Sequence, residues 1–196
     1  DLSYKVFKRK KAMLEGHDIS FVTCSKWLEK EVRKSALLTN QQIQTIPNPI
    51  DTRIFRPHDK KQARLRANLP LDMKVILFVA QRIANENKGI FYLIDACHKM
   101  AAEHPEMVHN TFVAVLGGGR GNIGDVFDFC TGKLGYVNDT QQIVDIYNAA
   151  DVFVLPSLSE NLPNTIMEAM ACGVPCVGFK VGGIPEEIDH LKNGYV

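Results

Sequence analysis

Two glutamates with seven residues between them, Glu160 and Glu168, fall in the stretch from Val152 to Gly173, Val-Phe-Val-Leu-Pro-Ser-Leu-Ser-Glu-Asn-Leu-Pro-Asn-Thr-Ile-Met-Glu-Ala-Met-Ala-Cys-Gly. Paired carboxylates can work as general acid and base, or they can bind hydroxyls. Their surroundings favour the second. Val152 to Leu155 is a short apolar run of buried-strand length that Pro156 stops. Pro163 stands where a first helical turn begins, and Gly173 where the helix ends. Strand, loop and helix in that order put Glu160 in the loop and Glu168 in the second helical turn. The backbone N–H groups of Asn164 and Thr165 at that helix start are a place for an anion. A carboxylate such as Glu168 suits vicinal hydroxyls, the role an acidic residue plays toward ribose in dinucleotide folds. The simpler alternative is a surface carboxylate that stabilises its helix through the dipole. Nucleotide plus sugar is the ligand class these residues fit.

A second constellation is Gln81-Arg82 at the end of the apolar run Lys74 to Ala80, followed by Lys88-Gly89 ahead of a helix. Two cations at the carboxyl end of a parallel strand, beside a helix N-terminus, make a site for a diphosphate. Taken alone, they also fit a solvated arginine and lysine. The segment Gly119-Arg120-Gly121-Asn122-Ile123-Gly124 matches GxGxxG, but the dinucleotide fingerprint needs a long helix immediately after it. Only Asp125 to Cys130 separates it from Thr131-Gly132-Lys133 and the next strand. We therefore read Gly117 to Gly119 as a tight turn at the carboxyl edge of a sheet, open to close approach by a ligand. The histidines at 17, 58, 98, 104, 109 and 190 form no metal-ligand spacing. No Walker loop or GxSxG elbow is present. No metal or cofactor is expected.

The elements that must position these residues follow from periodicity. Tyr4 to Leu14 reads as a helix carrying Lys5, Lys8, Arg9, Lys10 and Lys11, either a solvated face or a surface for anionic lipid at about 1 kcal/mol per basic residue. Ile19 to Thr23 is a strand, Ser25 caps a helix, and Ile43 to Ile46 is a strand. Three prolines in the eleven positions from Pro47 to Pro57 make a linker and a domain boundary. Beyond it come a basic helix, Asp59 to Leu69, and the strand Lys74 to Ala80. The helix Ile90 to Ala102, with apolar face Ile90, Leu93, Ile94, Cys97 and Met100, leads to the strands Thr111 to Leu116 and Lys133 to Val137. The helix Asp139 to Ala150 then precedes Val152 to Leu155, the Pro163 helix and Pro175 to Phe179. Gly182-Gly183 reads as a turn into a short helix. Apolar strands alternating with amphipathic helices imply an α/β, doubly wound parallel sheet of Rossmann-like form.

Composition bounds the function. The chain has 196 residues, 45% of them apolar and 23% charged, with a net charge of +1, which is ordinary globular make-up without the basic excess of a nucleic-acid binder. The longest apolar run, Val75 to Ala80, is too short for a bilayer, and a cytosolic setting is expected. Five cysteines, mostly in apolar segments, fit reduced core thiols. Both ends read as cut, at Asp1 and at the new strand opening near Val196.

Taken together, Arg82 with Lys88-Gly89, Leu134-Gly135-Tyr136, Asp151 to Ser157, Glu160 with Glu168 in Glu-Ala-Met-Ala-Cys-Gly-Val-Pro, and Val181-Gly182-Gly183-Ile184-Pro185-Glu186 resemble the C-terminal domain of GT-B-fold retaining glycosyltransferases of family 4. Phe21 to Ser25 and Ile46 to Asp51 resemble the end of that family's N-terminal domain and its link. Gln81 stands where the family usually has glycine, as do Asn161, Leu162 and Pro163.

The resemblance implies residues 1–56 as the tail of an N-terminal acceptor domain plus linker, and 57–196 as a truncated donor-binding domain. It implies that Arg82 and Lys88 grip a diphosphate, Glu160 meets sugar hydroxyls, and Glu168 meets ribose. Gly117, Leu162, Asn164 and Thr165 would line the donor, and Tyr136 and Val137 would meet the base. The donor is a nucleotide-diphosphate sugar and the acceptor a glycan, lipid-linked or other hydroxyl, as in polysaccharide biosynthesis. Retention would proceed by same-face displacement, the leaving phosphate helping to deprotonate the acceptor without a metal. The full-length enzyme would touch the membrane peripherally, and this portion would turn over nothing alone. A non-catalytic nucleotide-sugar-binding module and a GT-B nucleotide-sugar epimerase fit the same residues.

Overall fold

The computed structural model describes residues 1–38, 41–119 and 126–196. The chain divides into two units, Asp1–Asn48 and Pro49–Val196. In the first, helix α1 (Leu2–Leu14) is capped by Asp1, which accepts from the Ser3 N–H, and none of its residues is buried. Strand β1 (Ser20–Thr23) pairs in parallel with β2 (Gln42–Thr45), and α2 (Lys26–Arg33) connects them. Ser25 caps α2 as its residue type predicts, accepting from Leu28 N–H at 3.0 Å.

The second unit runs α3 (Lys60–Arg66), β3 (Lys74–Arg82), α4 (Ile90–Glu103), β4 (Thr111–Gly118), β5 (Cys130–Gly135), α5 (Thr140–Ala149), β6 (Val152–Leu155), α6 (Asn164–Ala171), β7 (Cys176–Gly178), α7 (Ile184–Glu187) and β8 (Gly194–Tyr195). Six strands form one sheet in the order β5-β4-β3-β6-β7-β8, and every described pairing is parallel. Successive side chains of a strand point to opposite faces. Val75 and Leu77 accordingly join a core with Phe153, Ile166 and Ile184, whereas Phe78 and Ala80 join a second core with Ile90, Leu93 and Cys97. Because both faces are covered, the inner strands β3, β4 and β6 are largely apolar, which is why their runs stand out in the sequence.

The register of β6 beside β3 is set by charge. Asp151 accepts from Val75 N–H at 2.8 Å, Lys60 Nζ at 2.8 Å and Arg64 at 2.6 Å. Arg64 also donates to the Ala149 and Leu71 carbonyls, and Arg66 forks onto Asp145. The basic helix α3 thus commits its arginines to packing. Burial pushes the Asp151 carboxyl up, but the hydrogen bonds from Lys60 and Val75 and the charges of Lys60 and Arg64 outweigh it and hold it below the usual range.

Three expectations need correction. The strand expected at Lys133 to Val137 is β5, Cys130–Gly135. Gly132 opens room for the Phe112 ring, whose Cζ would lie 2.5 Å from a Cβ there, and the strand ends where Gly135 turns to φ +74. Pro163 is the N-cap of α6, its extended backbone (ψ 111) leaving Asn164 as the first helical residue. Of the five free cysteines, Cys97, Cys172 and Cys176 are buried, but Cys24 is half-buried and Cys130 is exposed, on a strand at the edge of the sheet.

Candidate functional site

The chain lays down β3, moves outward through β4 to β5, and returns through α5 to place β6 on the other side of β3. In a doubly wound sheet this reversal opens a crevice at the carboxyl ends of the two strands, where ligands bind. The loops on either side are residues 83–89 after β3 and 156–163 after β6.

Backbone contacts fix both loops. Leu158 N–H donates to the Asn87 carbonyl at 2.9 Å. Gly89, at φ +69, lies so close to Pro156 that a Cβ would sit 1.8 Å from its carbonyl oxygen. On the other side Gly182, at φ +56, leaves 1.7 Å between a would-be Cβ and the Glu160 carbonyl oxygen. A side chain at either position is excluded sterically as well as conformationally. Gly182 was legible in the sequence only as part of a turn; the structure makes it the wall against which Glu160 rests.

Across the crevice Lys88 Nζ meets Glu160 Oε1 at 2.5 Å. The partners are partly withdrawn from water, with side-chain exposures of 30% and 11%. Arg82 ends β3 in register with Gly118, its side chain exposed and without an ion pair among the described residues. Gly117 lies at the carboxyl end of β4, and a Cβ on it would be 1.8 Å from the Ala80 carbonyl oxygen. Tyr136, 60% exposed, and the half-buried Val137 leave the end of β5. Leu162 and Thr165 are half-buried and Asn164 exposed around the start of α6. Of the GxGxxG match only Gly119 is placed; Arg120 to Gly124 lie outside the described residues.

Glu168 has a different partner from Glu160. Tyr147 Oη, from α5, donates to Glu168 Oε2 at 2.8 Å. Burial raises the Glu168 carboxyl, and the Tyr147 bond works against that rise. Ile143, Ile146, Tyr147 and Ala150 recur at i, i+3, i+4 and i+7, a spacing that marks Tyr147 only as part of an apolar helix face, which is true of its ring and silent about its hydroxyl. No hydrogen bond joins the two glutamates among the described residues; each is held by its own partner.

Glu187, the last residue of α7, was also missed. Both its carboxyl oxygens are buried and without a hydrogen-bond partner among the described residues. Burial, with the Glu160 and Glu186 carboxylates adding, pushes this carboxyl up to about 8. Its ordinary value is 4.5, so the neutral form is favoured by folding, and the stability it supports is complete below that value and lost as pH rises through about 8. Glu187→Gln mimics the neutral form. Thermal melts from pH 6 to 9 are expected to show the wild type losing about 2 kcal/mol more than Glu187→Gln, after discounting for partial solvation. Parallel curves would disprove it.

Among the described residues no His, Cys, Asp and Glu group could hold a metal, and no helix is long and apolar enough to cross a membrane.

The open parallel sheet reverses its order between a strand end at Arg82 with the loop carrying Lys88, and a loop and helix carrying Glu160 and Glu168; the likeness to known proteins makes it the C-terminal domain of a GT-B glycosyltransferase. The chain belongs to the family Glycosyl transferases group 1, which matches residues 73–196. It is 32% identical over 169 residues to D-inositol 3-phosphate glycosyltransferase 2 of Catenulispora acidiphila, covering 78% of this chain and 38% of that protein. It is 27% identical to N-acetyl-alpha-D-glucosaminyl L-malate synthase of Bacillus anthracis, covering 80% of this chain and 40% of that one. The chain thus spans well under half the length of these curated relatives. Among solved structures, sucrose-phosphate synthase of Thermosynechococcus elongatus superposes with a TM-score of 0.74 at 27% identity, over 95% of this chain and 46% of that one. Anabaena HepE, solved in complex with UDP-glucose, shares the fold with a TM-score of 0.67 at 21% identity, over 89% of this chain and 48% of that one.

Proposed function

We propose that this chain contributes the donor-binding half of a retaining glycosyltransferase that moves a sugar from a nucleotide diphosphate to a hydroxyl acceptor. The observation that carries the reading is the Lys88–Glu160 bond across the reversal of strand order. It puts a cation and a hydroxyl-binding carboxylate side by side where such sheets take their ligands. An ammonium has three donors, so the bond to Glu160 leaves two for phosphate oxygens. Arg82 supplies a planar fork at the neighbouring strand end.

In the proposed reaction the bond between the sugar's anomeric carbon and the diphosphate oxygen breaks. The acceptor oxygen bonds that carbon on the same face, and the acceptor proton passes to the departing phosphate. Negative charge grows on the diphosphate, and Arg82 and Lys88 stabilise it. Catalysis is then positioning and charge stabilisation rather than side-chain proton transfer.

Calorimetric titration of the intact enzyme with UDP, GDP and ADP tests the reading. One nucleotide is expected to bind, about tenfold more weakly in Glu168→Ala and not measurably in Arg82→Ala/Lys88→Ala. Absence of binding to all three by the wild type would sink the proposal.

A further inference from the structure

We propose that Tyr147 is a positioning residue for nucleotide recognition, its hydroxyl holding one oxygen of the Glu168 carboxylate so that the other is presented to a ribose hydroxyl. This rests on the reading of Glu168 as the ribose ligand.

The Tyr147 side chain is 1% exposed, so water cannot serve its hydroxyl, and a phenol has a single proton to donate. That proton goes to Glu168 Oε2 at 2.8 Å. The ring is held edge-on between Phe55 and Phe153, with centroids 6.4 and 5.9 Å away. The helix beneath it is pinned by the next residue, because Asn148 accepts from His58 N–H at 2.6 Å and donates to the Arg56 and Val144 carbonyls. The phenol is therefore a fixed donor, and the flexible partner is Glu168.

A carboxylate offers about four acceptor positions on its two oxygens. With Oε2 taken, Oε1 has no hydrogen-bond partner among the described residues. A glutamate held before the ligand arrives loses less rotamer freedom on binding. A neutral donor also favours the anionic carboxylate, which is the form that only accepts, and ribose hydroxyls need an acceptor. Without the phenol, burial alone would act on Glu168, and it favours the protonated form.

The test measures hydroxyl discrimination in the intact protein. Affinity for UDP, GDP or ADP, whichever binds, is compared with that for its 2′-deoxy and 3′-deoxy analogues. The wild type is expected to prefer the ribonucleotide over at least one analogue by about tenfold or more. Tyr147→Phe keeps the ring against Phe55 and Phe153, and is expected to lose most of that preference while binding the deoxy form within about twofold of wild type. On a Glu168→Gln background the same change is expected to alter nothing further. Phe55→Ala, which loosens the ring but keeps the hydroxyl, is expected to give a partial loss.

Equal weakening of ribo and deoxy forms by Tyr147→Phe would mean a purely structural role and overturn the proposal. If Glu168→Gln abolishes the preference and Tyr147→Phe keeps it, the Tyr147 assignment alone fails. If Glu168→Gln leaves the preference intact, the ribose assignment fails and takes this inference with it.

Discussion

Lys88→Ala is expected to lower kcat/KM for sugar transfer by the intact enzyme about a hundredfold, the equivalent of about 3 kcal/mol of transition-state stabilisation. On the proposed mechanism the ammonium acts on charge that appears only as the diphosphate leaves, so kcat falls with kcat/KM rather than KM rising alone. The substitution has a second consequence. Glu160 has a side-chain exposure of only 11% and its carbonyl is wedged against Gly182, so it keeps its place and loses its counter-charge. A carboxylate left this way repels an incoming diphosphate instead of sharing a cation with it. Lys88→Arg, which restores the charge with a wider head group, is expected to recover part of the rate but not all of it. Initial-rate measurements with the donor found by titration decide the matter. A loss below about threefold in Lys88→Ala would remove Lys88 from the reaction.

The largest effect on stability is expected away from the site, at Asp151. Its carboxylate gathers Val75 N–H, Lys60 and Arg64 at the point where β6 begins. Asp151→Ala leaves Arg64, whose side chain is 7% exposed, without its counter-charge, and strips Val75 of an acceptor. Removing one partner of a buried, hydrogen-bonded pair costs about 3–5 kcal/mol. Denaturant unfolding of the wild type and Asp151→Ala is expected to differ by that amount, with a smaller loss for Asp151→Asn, which retains one acceptor oxygen. Since the folded-state carboxyl is held low, its stabilisation is present above the ordinary aspartate range and disappears as pH falls through the folded value. Asp151→Ala should therefore differ least from wild type in acid. A difference below about 1 kcal/mol at neutral pH would show that α3 and β6 are held by apolar packing alone.

Much of this architecture was readable because parallel strands buried on both faces leave apolar runs that proline and glycine punctuate, as at Val152 to Leu155 before Pro156. Alternation with helices implied a parallel sheet, but not the order of its strands; the return of β6 to the far side of β3, and with it the crevice, is a property of the fold alone. Edge strand β5 was misplaced because Cys130-Thr131-Gly132-Lys133 carries no apolar run; its start is set by pairing with β4, where Gly132 lies under the Phe112 ring. The candidate site was legible as residue types but not as partnerships. Lys88 and Glu160 are 72 positions apart, and Tyr147 and Glu168 are 21 apart on different helices. Neither pairing leaves a periodic trace. Glu187 was hidden for a similar reason, since a carboxylate after Pro185-Glu186 looks solvated until the fold turns it inward.

The two glycine contacts around the 156–163 loop bear on how such an enzyme changes its substrate. Gly89 abuts the Pro156 carbonyl and Gly182 the Glu160 carbonyl, so the path of the loop is fixed by main chain touching main chain. What the intervening side chains are matters little to where the loop lies. Its course is a rigid frame and its lining is replaceable. Asn161, Leu162 and Pro163, where glycines are usual, are one such lining. On the proposed function, divergence toward a new donor sugar is a matter of re-lining this frame, with the two glycines that hold it as the residues least free to drift.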